Sequence, residues 1–448
     1  MDLKKMLLAG ILSAGVSASA GEIEDLRAEL AKTKARIAEL EAQVQSNGAV
    51  ADCEKDAFTR ALEDGTLKVK MGTYFRKYQK VAGNNAADTG WGSGYIDMNY
   101  VSKQYNNLQF GIGFLGHERI YERNVKGADD TIYGSSNNGS HRYDQQAVLD
   151  DLWIKANFTD KSYIKAGRQK LGDIFGQLPA LGAKIVIEDI ENLKFVAGLF
   201  TEQVGPDYGA SKMHGFDDVD GGNSKYGKAV YFANLTAKLG PAKITPFYYV
   251  QKYNTSVGGL TVNLKQKMNE DLTLSGNITG MQLRDLSNNS ERDNTTEVYA
   301  ADVKVDMGAF SIMVGGTQTM DDPDYKDNTL GYRKAFYYDK LVDKNVDNDH
   351  ALTNDTRSVY VWLGAKPTDK LSLKFGWSQI VHDTASGTDD SMNMFCGRVK
   401  YNFTKNFALE ARNTYYDWHN ADNDIWDGAD DMVKSELHAT YSFQLGKK

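Results

Sequence analysis

The sequence predicts an all-β fold: a transmembrane antiparallel β-barrel of about eighteen strands, preceded by a short N-terminal α-helical coiled coil. Three observations carry this expectation. Between Thr66 and Phe443, stretches of about ten residues alternate apolar and polar side chains. In the last stretch Val433, Leu437, Ala439, Tyr441 and Phe443 fall on one face, and Lys434, Glu436, His438, Thr440 and Ser442 on the other. A strand turns successive side chains to opposite faces, so one face is oily and the other wet. Second, short turns and longer polar loops separate the stretches in alternation, as in a barrel with periplasmic turns and extracellular loops. Third, the 448-residue chain has 25 Tyr, 18 Phe and 42 Gly against 6 Pro, which suits aromatic girdles and closely packed strands. Beyond the N-terminus there is no run of ~18 apolar residues, so no transmembrane helix is expected. A barrel escapes that test because only every second residue meets lipid.

The elements follow in order. Lys4 and Lys5 precede the apolar stretch from Met6 to Val16, and Ala18-Ser19-Ala20 supplies small residues for cleavage. Residues 1–20 therefore read as a secretory signal peptide. Its removal takes the formal net charge from −8 to −9, and an acidic mature chain argues against nucleic acid as a partner. Residues 21–46 carry a heptad seam through Ile23, Leu26, Leu30, Thr33, Ile37, Leu40 and Val44, with Glu, Lys and Arg filling most other positions. So polar a helix has little stability alone, so self-association is expected, on the periplasmic side. Residues 47–65 form a linker and a short helix, Asp56 to Glu63, stopped near Gly65. The barrel takes residues 66–443, and 444–448 form a tail. Only Cys53 and Cys396 occur, so no disulfide framework holds the fold, and whether the two pair is left open.

Strands are expected over Thr66–Gln79, Gly94–Tyr105, Leu108–Arg119, Gln146–Phe158, Ser162–Lys170, Lys184–Asp189, Leu193–Glu202, Lys228–Leu239 and Lys243–Tyr253. Then come Thr255–Lys267, Leu272–Arg284, Glu297–Asp306, Ala309–Thr319, Arg357–Lys366, Leu371–His382, Met392–Phe403, Phe407–Trp418 and Met432–Phe443. Turns fall at Asn106-Asn107, Thr159 to Lys161, Ile190 to Asn192, Gly240-Pro241 and Thr404 to Asn406. The even strand number puts both chain ends on the periplasmic side, and a barrel of this size encloses an aqueous channel.

Chemical motifs are few. Gly111-Ile-Gly113-Phe-Leu-Gly116 matches a dinucleotide fingerprint but lies inside an alternating strand with no helix after it. Gly222 to Ala229 approaches a phosphate loop, yet Ala229 replaces the Mg²⁺-binding hydroxyl and a strand follows. The His residues show no metal-ligand pair, and no G-x-S-x-G elbow occurs, so no enzyme is expected. The loops from Met320 to Asp355 and from Asn420 to Asp431 are rich in Asp. Carboxylates suit Ca²⁺, but without EF-hand spacing a solvated acidic loop is the favoured reading, and no cofactor is expected.

The wet face carries the functional expectation. It takes Lys68, Lys70, Arg76, Lys155, Lys304, Lys374, Arg398, Lys400, Arg412 and Lys434, together with Asp97, Asp151, Asp302, Glu410 and Glu436. A wall of both signs makes a transverse field that filters ions. The bland reading, favoured for any single residue, is that these groups keep the interior wet and pair with one another.

Asp56 to Tyr74 (DAFTRALEDGTLKVKMGTY), Tyr163 to Leu171 (YIKAGRQKL) and the ending LHATYSF resemble Gram-negative outer-membrane porins, the OprD-like group and the major porins of Campylobacter-type bacteria above all. The resemblance spans Asp56 to Phe443 and implies an eighteen-stranded, often trimeric barrel that passes small hydrophilic solutes and ions through the outer membrane. It also implies that the third long connection, Leu171 to Ala183, folds inward, with Asp173, Phe175 and Gln177 narrowing the pore. Two features depart from the family: Gln444 to Lys448 follow the final aromatic, and the family's basic ladder does not map residue by residue. The expected function is passive diffusion through a charged lumen, the acidic loops giving cations slight favour. The alternative is a structural or adhesive protein whose coiled coil tethers the envelope and whose loops bind surface partners.

Overall fold

The computed structural model describes Lys32, Ala35 and residues 57–80, 89–123, 146–170, 179–204, 213–215, 229–251, 255–286, 295–320, 356–382, 390–419 and 431–446. The chain divides into two units, Met1–Leu62 and Glu63–Lys448. In the first, Lys32 and Ala35 are helical, and α1 (Ala57–Glu63) ends at the boundary with the second. The leader, the seam residues Ile23 to Val44 and Cys53 lie outside the described residues.

The second unit is one antiparallel sheet. Its strands are β1 (Thr66–Lys80), β2 (Thr89–Val101), β3 (Leu108–Arg123), β4 (Gln146–Asn157), β5 (Tyr163–Lys170), β6 (Pro179–Ile187), β7 (Leu193–Val204), β8 (Met213–Gly215), β9 (Val230–Leu239) and β10 (Ala242–Gln251). They continue with β11 (Thr255–Lys267), β12 (Leu272–Asp285), β13 (Thr295–Met307), β14 (Phe310–Met320), β15 (Thr356–Ala365), β16 (Leu371–His382), β17 (Asp390–Asn402), β18 (Phe407–His419) and β19 (Met432–Leu445). Apart from β8, each pairs with the next, and β1 pairs with β19, which closes the sheet. The short β8 is a spur on β7, and β7 pairs directly with β9, so eighteen strands make the wall. Closure gives every strand two neighbours, the condition for backbone amides to survive in hydrocarbon.

Several boundaries differ from expectation, and the largest shifts have local causes. β2 begins at Thr89, not Gly94, and stops at Val101. β6 begins at Pro179, so residues 179–183 of the expected loop are strand. Its opening Pro-Ala-Leu-Gly-Ala holds few strand formers, and a bulge between Leu181 and Gly182 breaks the alternation, which hides it from a periodicity reading. Proline fits there because the first position of a strand tolerates a missing N–H. β19 runs to Leu445, past Phe443, because Gln444 and Leu445 pair with Lys68 and Leu67. β10 ends at Gln251, two residues before expectation, and the connection to β11 is as short as the expected ranges imply, residues 252–254.

The turns at the other end are defined by local chemistry. Asn106 and Asn107 both have positive φ, 45° and 65°, as a two-residue type I′ hairpin needs, and Asn tolerates that region. The β4–β5 and β6–β7 turns are tied together. Thr159 Oγ1 donates to Asp189 at 2.6 Å and Ser162 Oγ donates to the same carboxylate at 2.5 Å. These two bonds, Ser162 first, hold the Asp189 carboxyl below its usual range.

Alternation separates the two faces. Leu152, Ile154, Leu260, Leu264, Ile278, Val303, Val314, Leu363 and Phe375 are exposed on the outside. The inside is not uniformly wet. Towards the turns it is polar and charged. Towards the loops it carries Tyr249, Leu283, Tyr360, Ile380, Met392, Met394 and Tyr416, all fully buried. The expected wet face thus divides into a charged part and a part where these large apolar side chains sit among buried Ser, Thr, Gln169 and Lys434.

Candidate functional site

The charged part of the inner face is built by register. Across five neighbouring strands the pairing runs Lys374 on β16, Arg398 on β17, Arg412 on β18, Glu436 on β19 and Arg76 on β1. Strands lie about 4.8 Å apart, so this row spans about 20 Å of wall. Each of these residues has an odd or even offset that its own strand shares with other inward side chains, so the row faces inward as a unit.

Glu436 is the hub. Its side chain is 4% exposed. Arg76 donates to Oε1 from Nη2 at 2.8 Å and from Nε at 2.9 Å. Lys434, fully buried two residues before it, reaches the same oxygen at 3.4 Å. Arg412 Nη1 stands 3.7 Å from Oε2, and the Tyr74 hydroxyl donates to Oε1. Tyr74 also meets the His438 ring at 4.1 Å between centroids and lies under the Arg76 guanidinium at 5.0 Å. Three cations around one carboxylate leave a net positive cluster. Beside it Arg398 grips Glu410 with a two-pronged contact, Nε to Oε1 at 2.6 Å and Nη2 to Oε2 at 2.9 Å. Such forks fix the planes of both groups.

The other expected residues sit as follows. Lys68 and Lys70 share the inner face of β1, with Lys70 in register with Asp97 of β2 and 5.5 Å from the Tyr95 ring. Asn99 donates to Asp97. Lys400 is in register with Glu410. These residues join the row from Lys374 to Arg76 in one basic stretch of wall. Two pairs lie elsewhere. Asp302 on β13 is buried and accepts a 2.8 Å bond from Asn277, while Lys304 contacts Asp306 at 2.5 Å. Asp151 and Lys155 lie on β4. Asp173, Phe175 and Gln177 lie outside the described residues, as do the acidic loop residues apart from Asp431, which accepts a 3.0 Å bond from Tyr415.

Sequence reading overlooked Lys165 and Lys184, which are in register with Lys155 on the inner face. Lys165 was legible, since it alternates with Ile164 and Ala166. Lys184 stands at the first position of the expected strand Lys184–Asp189, where too little alternation precedes it to assign its face.

No protein-family model matches the chain, and no curated protein matches it in sequence. Solved structures do match its fold. OccAB1 of Acinetobacter baumannii superposes with a TM-score of 0.68 at 18% identity, over 86% of this chain and 98% of its own. OpdK, an outer membrane protein of Pseudomonas aeruginosa solved with vanillate, gives 0.68 at 12% identity, over 86% and 100%. OccK8 (OprE) of Pseudomonas aeruginosa gives 0.67 at 14% identity, over 86% and 99%. These chains share the closed antiparallel eighteen-stranded barrel.

Proposed function

We propose that this chain is an outer-membrane porin of a Gram-negative bacterium, passing ions and small hydrophilic solutes by passive diffusion through its charged interior. The observation that carries this is the pairing of two opposite faces on one closed wall: exposed Leu, Ile, Val and Phe outside, and the in-register row from Lys374 to Arg76 inside. The wall also weighs on selectivity. Against Asp97, Asp151, Asp302, Asp306, Glu410 and Glu436, the inner positions hold a larger set of Lys and Arg that includes Lys165, Lys184 and Lys434. A fixed positive field favours anions, the opposite of the slight cation lean of the acidic loops. OpdK is solved with vanillate, an aromatic carboxylate, and the guanidinium row here has the chemistry to hold such a group.

The finer expectations belong to the same reading. Residues 1–20 direct secretion, the helical seam of residues 21–46 stands in the periplasm and supports a homotrimer, and Asp173, Phe175 and Gln177 narrow the channel. Single-channel conductance of the refolded protein in a planar bilayer under a salt gradient tests the proposal. Steps of one, two and three units with a reversal potential towards anions are expected. A folded barrel that never conducts would sink it and favour the tethering or adhesive role.

A further inference from the structure

A second basic feature lies on β4, β5 and β6, apart from the row centred on Glu436. Lys155, Lys165 and Lys184 are directly opposite one another on adjacent strands. Paired positions stand about 5 Å apart, so three ammonium stems rise within about 10 Å. Like charges facing across strands destabilise a sheet, and each of the three side chains is half-buried. Two of the amines are held in place. Lys165 Nζ lies 3.8 Å from the Trp153 ring centroid, and Lys155 Nζ lies 4.3 Å from that of Tyr163. Contacts of this kind restrain long lysine stems before any ligand arrives.

The wall beside the lysines is rich in glycine. The next inward row towards the loops reads Gly111, Trp153, Gly167, Gly182 and Phe200, and Lys184 itself pairs with Gly198. A side chain at Gly111 would run into the Trp153 ring, so this glycine lets the indole lie against the wall as a platform for Lys165. Cβ atoms at Gly167, Gly182 or Gly198 would strike neighbouring backbone, and Gly167 has φ of 115°. Between Trp153 and Phe200 the wall has no side chains of its own at Gly167 and Gly182, and the buried Gln169 lies across it, its amide donating to the Lys165 and Gly182 carbonyls at 3.1 and 3.4 Å. Asp151 is the carboxylate whose field reaches Lys165.

We propose that Lys155, Lys165 and Lys184, aligned across three strands and braced by Trp153 and Tyr163, form a binding step for a small, multiply charged oxyanion. Such an anion lies across neighbouring ammonium groups and cancels a repulsion that the register imposes. Its access from solution rests on the channel reading above.

Isothermal titration of inorganic phosphate into the full-length folded protein in detergent, at fixed ionic strength and neutral pH, reads the site. Single-channel chloride current with added phosphate reads it during passage. Wild type is expected to bind phosphate and to lose chloride current as it does so. The triple variant Lys155→Gln, Lys165→Gln, Lys184→Gln is expected to bind at least about tenfold more weakly, the corresponding Lys→Arg triple to retain binding, and Lys161→Gln in the adjacent turn to match wild type. If the triple Gln variant does not fold, Lys165→Gln alone carries the comparison. Absence of phosphate binding in wild type, or binding that survives loss of the lysines, overturns the proposal. Binding without conductance keeps the site and removes the channel reading. Conductance without binding does the reverse.

Discussion

At the residue scale, Glu436 shows why a charged wall is more than a sum of wet side chains. It takes Arg76, Lys434, Arg412 and the Tyr74 hydroxyl on two oxygens while nearly sealed from solvent. Removing one partner of a buried ionic cluster leaves the others uncompensated. Glu436→Gln is therefore expected to destabilise the barrel by on the order of 3 kcal/mol, read as a lowered urea midpoint in lipid vesicles. The same change strips a negative charge from the wall and should move the reversal potential further towards anions. A variant with unchanged midpoint and unchanged potential would mean that the cluster does not hold in the membrane.

At the scale of the element, alternation assigns neighbouring residues to different solvents. Ile278 is 57% exposed on the outer face of β12, while Asn277, one residue away, faces inward and donates to Asp302. Lysine on the lipid face near the bilayer midplane costs about 2–4 kcal/mol. Ile278→Lys should lose that amount in vesicle unfolding, whereas Asn277→Lys should stay close to wild type, since its ammonium group meets Asp302. Equal losses at both sites would contradict the face assignment. Turns act at this scale too. Asn106-Asn107 sets the register of β2 against β3 because both residues accept positive φ, and Thr159 and Ser162 link two turns through Asp189.

At the scale of the whole molecule, the decisive contact is between the ends of the barrel. β1 and β19 pair along their length, so Arg76 reaches Glu436 across 360 positions of sequence. Deleting Met432–Leu445 would leave β1 and β18 with open edges, and each unpaired amide in hydrocarbon costs several kcal/mol. The truncated chain is expected to give no fast-migrating folded band in unheated SDS gels and no vesicle insertion. A folded band from it would show that closure is not required.

The sequence by itself determined the existence of the eighteen wall strands, their two contrasting faces and the short turns, because alternation and turn chemistry are local properties. Val433 to Phe443 shows its oily face without any partner, and Asn106-Asn107 shows its turn. It missed the start of β6, where a bulge and weak strand formers mask the period, and with it Lys184. It also assigned water to the whole inner face, since alternation tells the face of a side chain but not its height. Met392, Met394 and Tyr416 have the right parity for the inside and are fully buried there. Only the tertiary structure brought Lys374, Arg398, Arg412, Glu436 and Arg76 into one row and set Lys155, Lys165 and Lys184 side by side. Register and closure are fixed by backbone hydrogen bonds between distant strands, and no local pattern in the chain encodes which residues those bonds align.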